Sequence, residues 1–364
     1  MRGVSLKPAP PADGLSTSTA PRTLLDNYSA PWWLPGGNLQ TIWAATRAQR
    51  HPGPPPHFGR ERWTTPDQDF IDVDHLLLPE AAAAAPENSR PHLVLFHGLE
   101  GSSASAYAQA FASVALQRGW DYSVPHFRGC SGELNLAPRA YHSGDFEEIG
   151  WILQRLRQRS AAPLWVVGIS LGGNALLRWA QEAGSSAAAT AAAIAAVCSP
   201  IDLTASGRAI DRGFNRLVYA RMFLASMKPK ALAKWQQHPG LFDRDKLAAA
   251  RTLYEFDNIF TAPLHGYADT PDYWSRASAL PHLQRLRIPA LVLNAENDPF
   301  VPAQALPARA SDAGPHVQFW RPTQGGHVGF PQGNYPASVG AMPAAVADWL
   351  SQHGCHNTLE PVWP

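Results

Sequence analysis

Residues 165–180 read WVVGISLGGNALLRWA, and the serine inside this stretch decides the fold. Ahead of it, Leu164, Trp165, Val166 and Val167 follow Pro163 as a short β-branched and aromatic run, the composition of a buried strand. Behind it, Asn174, Ala175, Leu176, Leu177, Arg178, Trp179 and Ala180 form a helical amphipath. Ser170 therefore occupies a strand-to-helix turn within Gly168-Ile169-Ser170-Leu171-Gly172. That context is a nucleophile elbow, a turn tight enough to strain and expose the serine. Gly168 and Gly172 remove Cβ atoms where strand and helix backbones would collide. Leu171 opens the helix, so its N–H has no intrahelical acceptor and is free to meet a developing oxyanion.

A serine hydroxyl is a poor nucleophile near neutral pH until a histidine takes its proton and a carboxylate orients that histidine. In an elbow architecture the chain order is Ser, then Asp or Glu, then His. PALVLNAENDPFVP (289–302) supplies Asp298 in a loop after a strand, and VQFWRPTQGGHVGF (317–330) supplies His327 after two glycines. Asp202, in SPIDL, and Glu296 are alternative acids. His142 and His265 are candidates for substrate contact. Oxyanion donors are also needed, and LVLFHG runs into His97-Gly98-Leu99-Glu100-Gly101. This loop makes the Leu99 N–H the expected partner of the Leu171 N–H and leaves His97 a structural role.

The rest of the chain bounds the reading. At 364 residues it can bury one large α/β core, and 45% hydrophobic with 16% charged residues suits a globular protein of low surface charge. A net charge of +1 gives no reason to expect nucleic acid or an anionic membrane as partner. No segment has the length of apolar sequence that spans a bilayer, and residues 1–27 have no apolar h-region. These residues read as a mobile tail of a cytoplasmic protein. Cys130, Cys198 and Cys355 are odd in number and far apart, which favours reduced thiols over a disulfide framework. Cys130, beside Arg128, reads as a packed, inert thiol rather than a reactive one. No histidine or cysteine spacing suggests a metal, and Phe127–Glu133 (FRGCSGE) is not a nucleotide loop, so no cofactor is expected.

Strand-like runs at 58–63 and 70–78 precede an alanine-rich connection, 79–91. From Pro91 strands and helices alternate: strands at 92–96 and 121–127 and helices at 103–118 and 144–159, then the elbow. Further strands follow at 192–197, 289–294 and 316–320, with a closing helix at 337–352. Alternation of this kind implies an α/β fold with a mostly parallel central sheet flanked by helices. The alternation stops over about 204–286, where LVYARMFLASM, KALAKWQQHP and KLAAARTLYEFDNIF are helical. This block reads as a cap inserted over the C-terminal edge of the sheet, within one hydrolase domain of residues 28–350; a second tail, 351–364, follows. Met222, Phe223, Trp235 and Tyr254 are expected to pack between its helices.

HGLEG, FRGCSGE, YHSGD, GISLGGN, FDNIFTAPLHGY with DYW, NDPFVP and GGHVGF, in that order, resemble the YheT-like α/β hydrolases, and PWWLPGGNLQTI (31–42) resembles their N-terminal segment. The resemblance covers about residues 28–350. It implies Ser170 as nucleophile, Asp298 as acid and His327 as base, acting without a cofactor on carboxylic esters. Lipid-like or medium-chain acyl esters are the class expected from some relatives. Eukaryotic members often carry an N-terminal membrane anchor that has no counterpart here. Trp274 and Asn297 stand where a tyrosine and an acidic or histidine residue are expected. Acyl transfer and thioester cleavage use the same three residues, and a non-catalytic binding protein could keep the fold. The oligomeric state is not legible.

Overall fold

The structure, a computed structural model, describes residues 25, 28–79 and 89–353. Most of the expected N-terminal tail, most of the alanine-rich connection, and the C-terminal tail beyond 353 with Cys355 lie outside the described residues. Eight strands form a single sheet: β1 (Phe58–Thr64), β2 (Phe70–Leu76), β3 (His92–Phe96), β4 (Asp121–Pro125), β5 (Leu164–Ile169), β6 (Ala193–Val197), β7 (Ala290–Leu293) and β8 (Val317–Trp320). Their spatial order is β1-β2-β4-β3-β5-β6-β7-β8. The run from β4 to β8 is parallel, and β1 and β2 add an antiparallel edge. The expected α/β fold, with a mostly parallel sheet between helices, is the one observed.

Period-two alternation sends side chains to two separate cores. Val94 and Phe96 of β3, Leu164 and Val166 of β5, and Ile194 and Ala196 of β6 face one side. There they meet α3 (Phe146–Arg159) and α4 (Leu171–Ala183) through Ile149, Ile152, Leu153, Leu176 and Leu177. Leu93, Leu95, Trp165, Val167, Ala195 and Val197 face the other side, under α2 (Ala106–Arg118) and α10 (Ala341–His353). The central strands are buried on both faces, which is why they read as continuous apolar runs rather than as alternating ones.

Between β6 and β7 the chain leaves the sheet for a helical insertion. It contains α5 (Leu203–Ile210) and α6, a continuous helix of Gly213–Asn215, the π turn Arg216–Ala220 and Arg221–Gln237. α7 (Arg244–Ala249) and α8 follow, the latter Leu253–Phe256, the π turn Asp257–Thr261 and Ala262–Leu264; α9 (Thr270–Ala277) closes the insertion. α1 (Gly36–Thr46), in the PWWLPGGNLQTI segment, was not assigned from the sequence and packs beside the C-terminal ends of the strands, as the site shows. Of the four cap residues expected to pack, Met222 is 55% exposed, and Tyr254, 44% exposed, keeps only an edge contact with Trp274, ring centroids 5.7 Å apart. Phe223 instead lines the cavity beneath the cap, and Trp235 is half-buried. Helical periodicity without a known partner face does not show which apolar residues are covered. Among the described residues no helix is long and apolar enough to cross a membrane.

Candidate active site

β5 ends in Gly168 and Ile169, and Ser170 turns the chain into α4 with φ 51° and ψ −118°. A side chain in that left-handed region is strained, and the surroundings hold it there. The Ser170 N–H donates to Val197 O of β6 at 2.8 Å. A Cβ on Gly168 would come within 2.5 Å of Gly173 Cα, so β5 and α4 meet only because no side chain intervenes. A Cβ on Gly172 would instead strike Phe96 O and His97 O at the end of β3. The second glycine thus fits the elbow against the neighbouring strand rather than against its own.

The β7 and β8 loops complete the site. His327 Nε2 lies 3.0 Å from Ser170 Oγ, and His327 Nδ1 lies 2.9 Å from Asp298 Oδ2. Asp298 has a fully buried side chain, and its Oδ1 also accepts the N–H groups of Phe300 and Val301 at 2.7 and 3.2 Å. Hydroxyl, imidazole and carboxylate therefore stand in one hydrogen-bonded line. The alternative acids are elsewhere: Asp202 caps α5 by accepting the Ala205 N–H, and Glu296 is exposed.

On the opposite side of Ser170 is the β3 loop. Gly98 packs so closely that an added Cβ would lie 3.2 Å from Ser170 Cβ. The Gly98 N–H donates to Tyr107 Oη at 3.0 Å, the Glu100 N–H to Tyr141 Oη at 2.9 Å, and the Gly101 N–H to Gly98 O at 2.9 Å. The Leu99 N–H between them donates to no group among the described residues, and neither does that of Leu171. Both leucines border the cavity with Ser170. His97 holds the loop: its Nε2 accepts the Phe127 N–H at 3.0 Å, so its proton sits on Nδ1 and goes to Gly98 O at 2.8 Å. Burial pulls the His97 pKa down to about 3, which keeps that ring neutral.

The histidine loop rests on three supports that the sequence reading did not identify. The His327 N–H donates to Thr41 Oγ1 at 2.8 Å. Gln40 Oε1 accepts from Gly325 N and from Asn297 Nδ2, each at 2.9 Å, while Asn297 Oδ1 takes the Gly326 N–H at 3.0 Å. Cys198 supports the loop from below, its Sγ accepting the Val328 N–H at 3.2 Å. The one signal in the sequence was a glutamine between apolar residues of a short helix, GGNLQTIW; Gln40 is 1% exposed.

Among the described residues, Cys198, Asp298 and His327 are the one group whose donor atoms lie close enough together for a metal. Burial and the Asp298 carboxylate push the Cys198 thiol well above its ordinary pKa, and the Asp298 oxygens are already taken by N–H donors. The group is built as a hydrogen-bonded set and fits a metal poorly. Cys130 is also held protonated, burial raising its pKa to about 12.

Ser170 opens into a cavity between the sheet and the insertion. Leu203, Ile210, Phe223, Leu253, Phe256 and Phe260 give it apolar walls. Its polar side includes Glu100, paired with Lys230 of α6 at 2.8 Å. Farther round, Trp274 lies against Gly207, where a Cβ would be only 2.4 Å from its ring, and donates from Nε1 to Asp257 Oδ2 at 2.8 Å. Burial raises the Asp257 carboxyl to about 6. His142 borders the cavity. His265 is not among the lining residues; it stands behind His142, ring centroids 4.3 Å apart, with its two nitrogens on Thr261 O and Ala140 O.

Comparison with known proteins agrees with this architecture. A family model described as alpha/beta hydrolase fold matches residues 91–334. YheT of Escherichia coli (strain K12) is 38% identical over 296 residues, 80% of this chain and 84% of that one. The phospholipase ABHD3 of Mus musculus is 28% identical over 305 residues, 83% of this chain and 74% of that one. A puromycin-hydrolyzing peptidase of Mycobacterium tuberculosis superposes with a TM-score of 0.51 at 19% identity, over 82% of this chain and 40% of that one, a likeness of fold. The elbow, the sheet order and these relatives agree: the chain belongs to the YheT-like α/β hydrolases.

Proposed function

We propose that the chain is a serine hydrolase of carboxylic esters. The observation that carries this reading is the line Ser170 Oγ–His327 Nε2–Asp298, at 3.0 and 2.9 Å, beside two backbone N–H groups that donate to no described residue. Ser170 Oγ attacks the ester carbonyl while His327 Nε2 accepts its proton, and Asp298 orients and stabilises the imidazolium that forms. The Leu99 and Leu171 N–H groups receive the negative oxygen of the tetrahedral intermediate. His327 then protonates the departing alcohol, leaving an acyl-enzyme, and water attacks that ester by the same route in reverse. The apolar walls of the cavity favour short- to medium-chain or lipid-like acyl groups, and His142, which borders it, is the candidate for substrate contact. A cytoplasmic location belongs to the same reading, supported by two cysteines held as thiols.

The test is hydrolysis of p-nitrophenyl esters from acetyl to dodecanoyl by wild type and Ser170→Ala, with fluorophosphonate labelling of both. Wild type should turn over and label, and the variant should lose at least about a thousandfold in kcat and all label. A variant that keeps its rate, or a wild type inert across the series, overturns the proposal.

A further inference from the structure

One surface of the insertion takes no part in this chemistry. α6 buries Tyr219, Ala220 and Leu224, and lines the cavity with Phe223, Met227 and Lys230. Its other face is turned outward and is not polar: Phe214 is 53% exposed, Leu217 74% and Met222 55%. Helical spacing places these three on the side away from Phe223, Met227 and Lys230, and Phe214 packs edge-on against Tyr219 with ring centroids 6.2 Å apart. α1 lies beside this helix, Tyr219 Oη donating to Asn38 Oδ1 at 2.9 Å.

The charge around these residues is of one sign. Arg216 and Arg221 are exposed on α6, Arg212 just before it and Arg208 on α5; none forms a salt bridge among the described residues. The sole acid in this stretch, Asp211, accepts the N–H groups of Leu253 and Tyr254, and Arg216 acts on it only across a distance longer than a salt bridge. The arginines of β1 and most of those on α3 are, by contrast, paired or stacked on aromatic rings. A chain of net charge +1 thus concentrates unpaired arginines around exposed apolar side chains, and total charge conceals the patch.

Exposed Phe, Leu and Met in water are unfavourable unless something covers them. A second copy related by a two-fold axis would set arginine against arginine. Nucleic acid would pair with the arginines and leave the apolar side chains uncovered. An anionic bilayer satisfies both, taking the apolar side chains into the boundary below its headgroups and the arginines among its phosphates. We infer that the outer face of α6 docks the protein on an anionic lipid surface through Phe214, Leu217 and Met222, with Arg208, Arg212, Arg216 and Arg221 pairing with lipid phosphates. The opposite face of the same helix lines the cavity, so docking sets the cavity one helix away from the lipid. Delivery of a lipid ester to Ser170 from that surface rests on the ester-hydrolase reading; the docking itself does not.

The experiment is co-sedimentation of the full chain with phosphatidylcholine vesicles, with or without about one third phosphatidylglycerol, at low and high salt. Wild type should pellet with the anionic vesicles and stay in the supernatant with the neutral ones, with binding weakened roughly tenfold or more at high salt. The double variant Phe214→Ser/Leu217→Ser and the triple variant Arg212→Gln/Arg216→Gln/Arg221→Gln should each lose roughly tenfold or more in vesicle affinity. Both should hydrolyse soluble p-nitrophenyl butyrate within about twofold of wild type, which shows that they fold. Three results would overturn the docking proposal: wild type unbound by anionic vesicles, variants that bind as well as wild type, or a wild-type dimer in sedimentation velocity that these substitutions dissolve. A wild type that binds vesicles but hydrolyses no ester would leave the docking standing and remove the hydrolase reading instead.

Discussion

At Ser170 a strained backbone and a reactive geometry coincide. A non-glycine residue at φ 51° costs of order 1–3 kcal/mol, and the close packing of Gly168, Gly172 and Gly98 around it keeps the hydroxyl aimed at His327. The loop opposite is controlled by a different residue. Tyr141 Oη accepts the Glu100 N–H and donates to Glu100 Oε1, both at 2.9 Å, while Glu100 sits at φ 58°. This one hydroxyl fixes the peptide that follows Leu99, and its ring is stacked on Phe127 with centroids 5.3 Å apart. Tyr141→Phe keeps the stack and releases the peptide. Ester hydrolysis should then lose about ten- to a hundredfold in kcat while KM stays within about twofold, as expected when a transition-state donor loosens. A rise in KM at constant kcat would assign Tyr141 to substrate binding instead.

At the level of elements, α1 behaves as part of the site although it lies outside the alternating α/β unit. Gln40 is the link, joining Asn297 of one loop to Gly325 of another. The fit is tight, since a Cβ on Gly37 would sit 1.8 Å from Asn297 O. Gln40→Ala leaves two buried donors without a partner, which costs about 1–3 kcal/mol for each. Its urea midpoint should fall accordingly, and ester hydrolysis should fall more than stability alone explains, because the His327 loop loses its support. Normal activity in a folded Gln40→Ala protein would show that the loop holds itself. α4 has a similar linking residue: Asn174 donates to Ser143 O and Ala277 O, both at 2.8 Å, and accepts the Ala279 N–H. It thereby ties the insertion's return to the elbow helix.

Across the whole molecule, buried charge joins the antiparallel edge to the site's framework. Asp74 of β2 meets Arg60 of β1 at 2.7 Å, Ser103 before α2 at 2.6 Å, and His126 after β4 at 2.9 Å. Burial alone would raise its pKa, but these hydrogen bonds outweigh that effect and hold the carboxyl below its usual range. Asp69 is lowered in the same way, against its own burial, by the N–H groups of Leu136, Ala137 and Phe70. An acid whose folded pKa is depressed stabilises the fold above its unfolded value, near 3.9, and that contribution is lost as pH falls through the folded value. The urea midpoint of wild type should therefore hold above about pH 5 and drop steeply below about pH 4. Asp74→Asn should lower the midpoint at pH 7 and flatten the drop; an unchanged pH profile would remove Asp74 from the account.

Much of this was legible in the sequence because it is local. Strand burial on two faces, the glycines of the elbow and the order Ser170, Asp298, His327 depend on periodicity and on backbone conformations that short windows record. Helix starts were read two or three residues early at α2 and α3. There Ser105 and Asp145 take the N-cap position, and the residues before them form turns. What no window records is which distant segment covers which face. The hydrogen bond from Gly325 to Gln40 spans 285 positions, and that from His327 to Thr41 spans 286. The exposure of Met222, the loss of His265 from the cavity and the gathering of four unpaired arginines are likewise set by the packing of the insertion. The sequence by itself determined the fold and the order in the chain of the three residues proposed as the triad, since these follow from local steric rules. Only the tertiary structure decided what braces the histidine loop and which apolar residues meet water, because both depend on contacts between segments far apart in the chain.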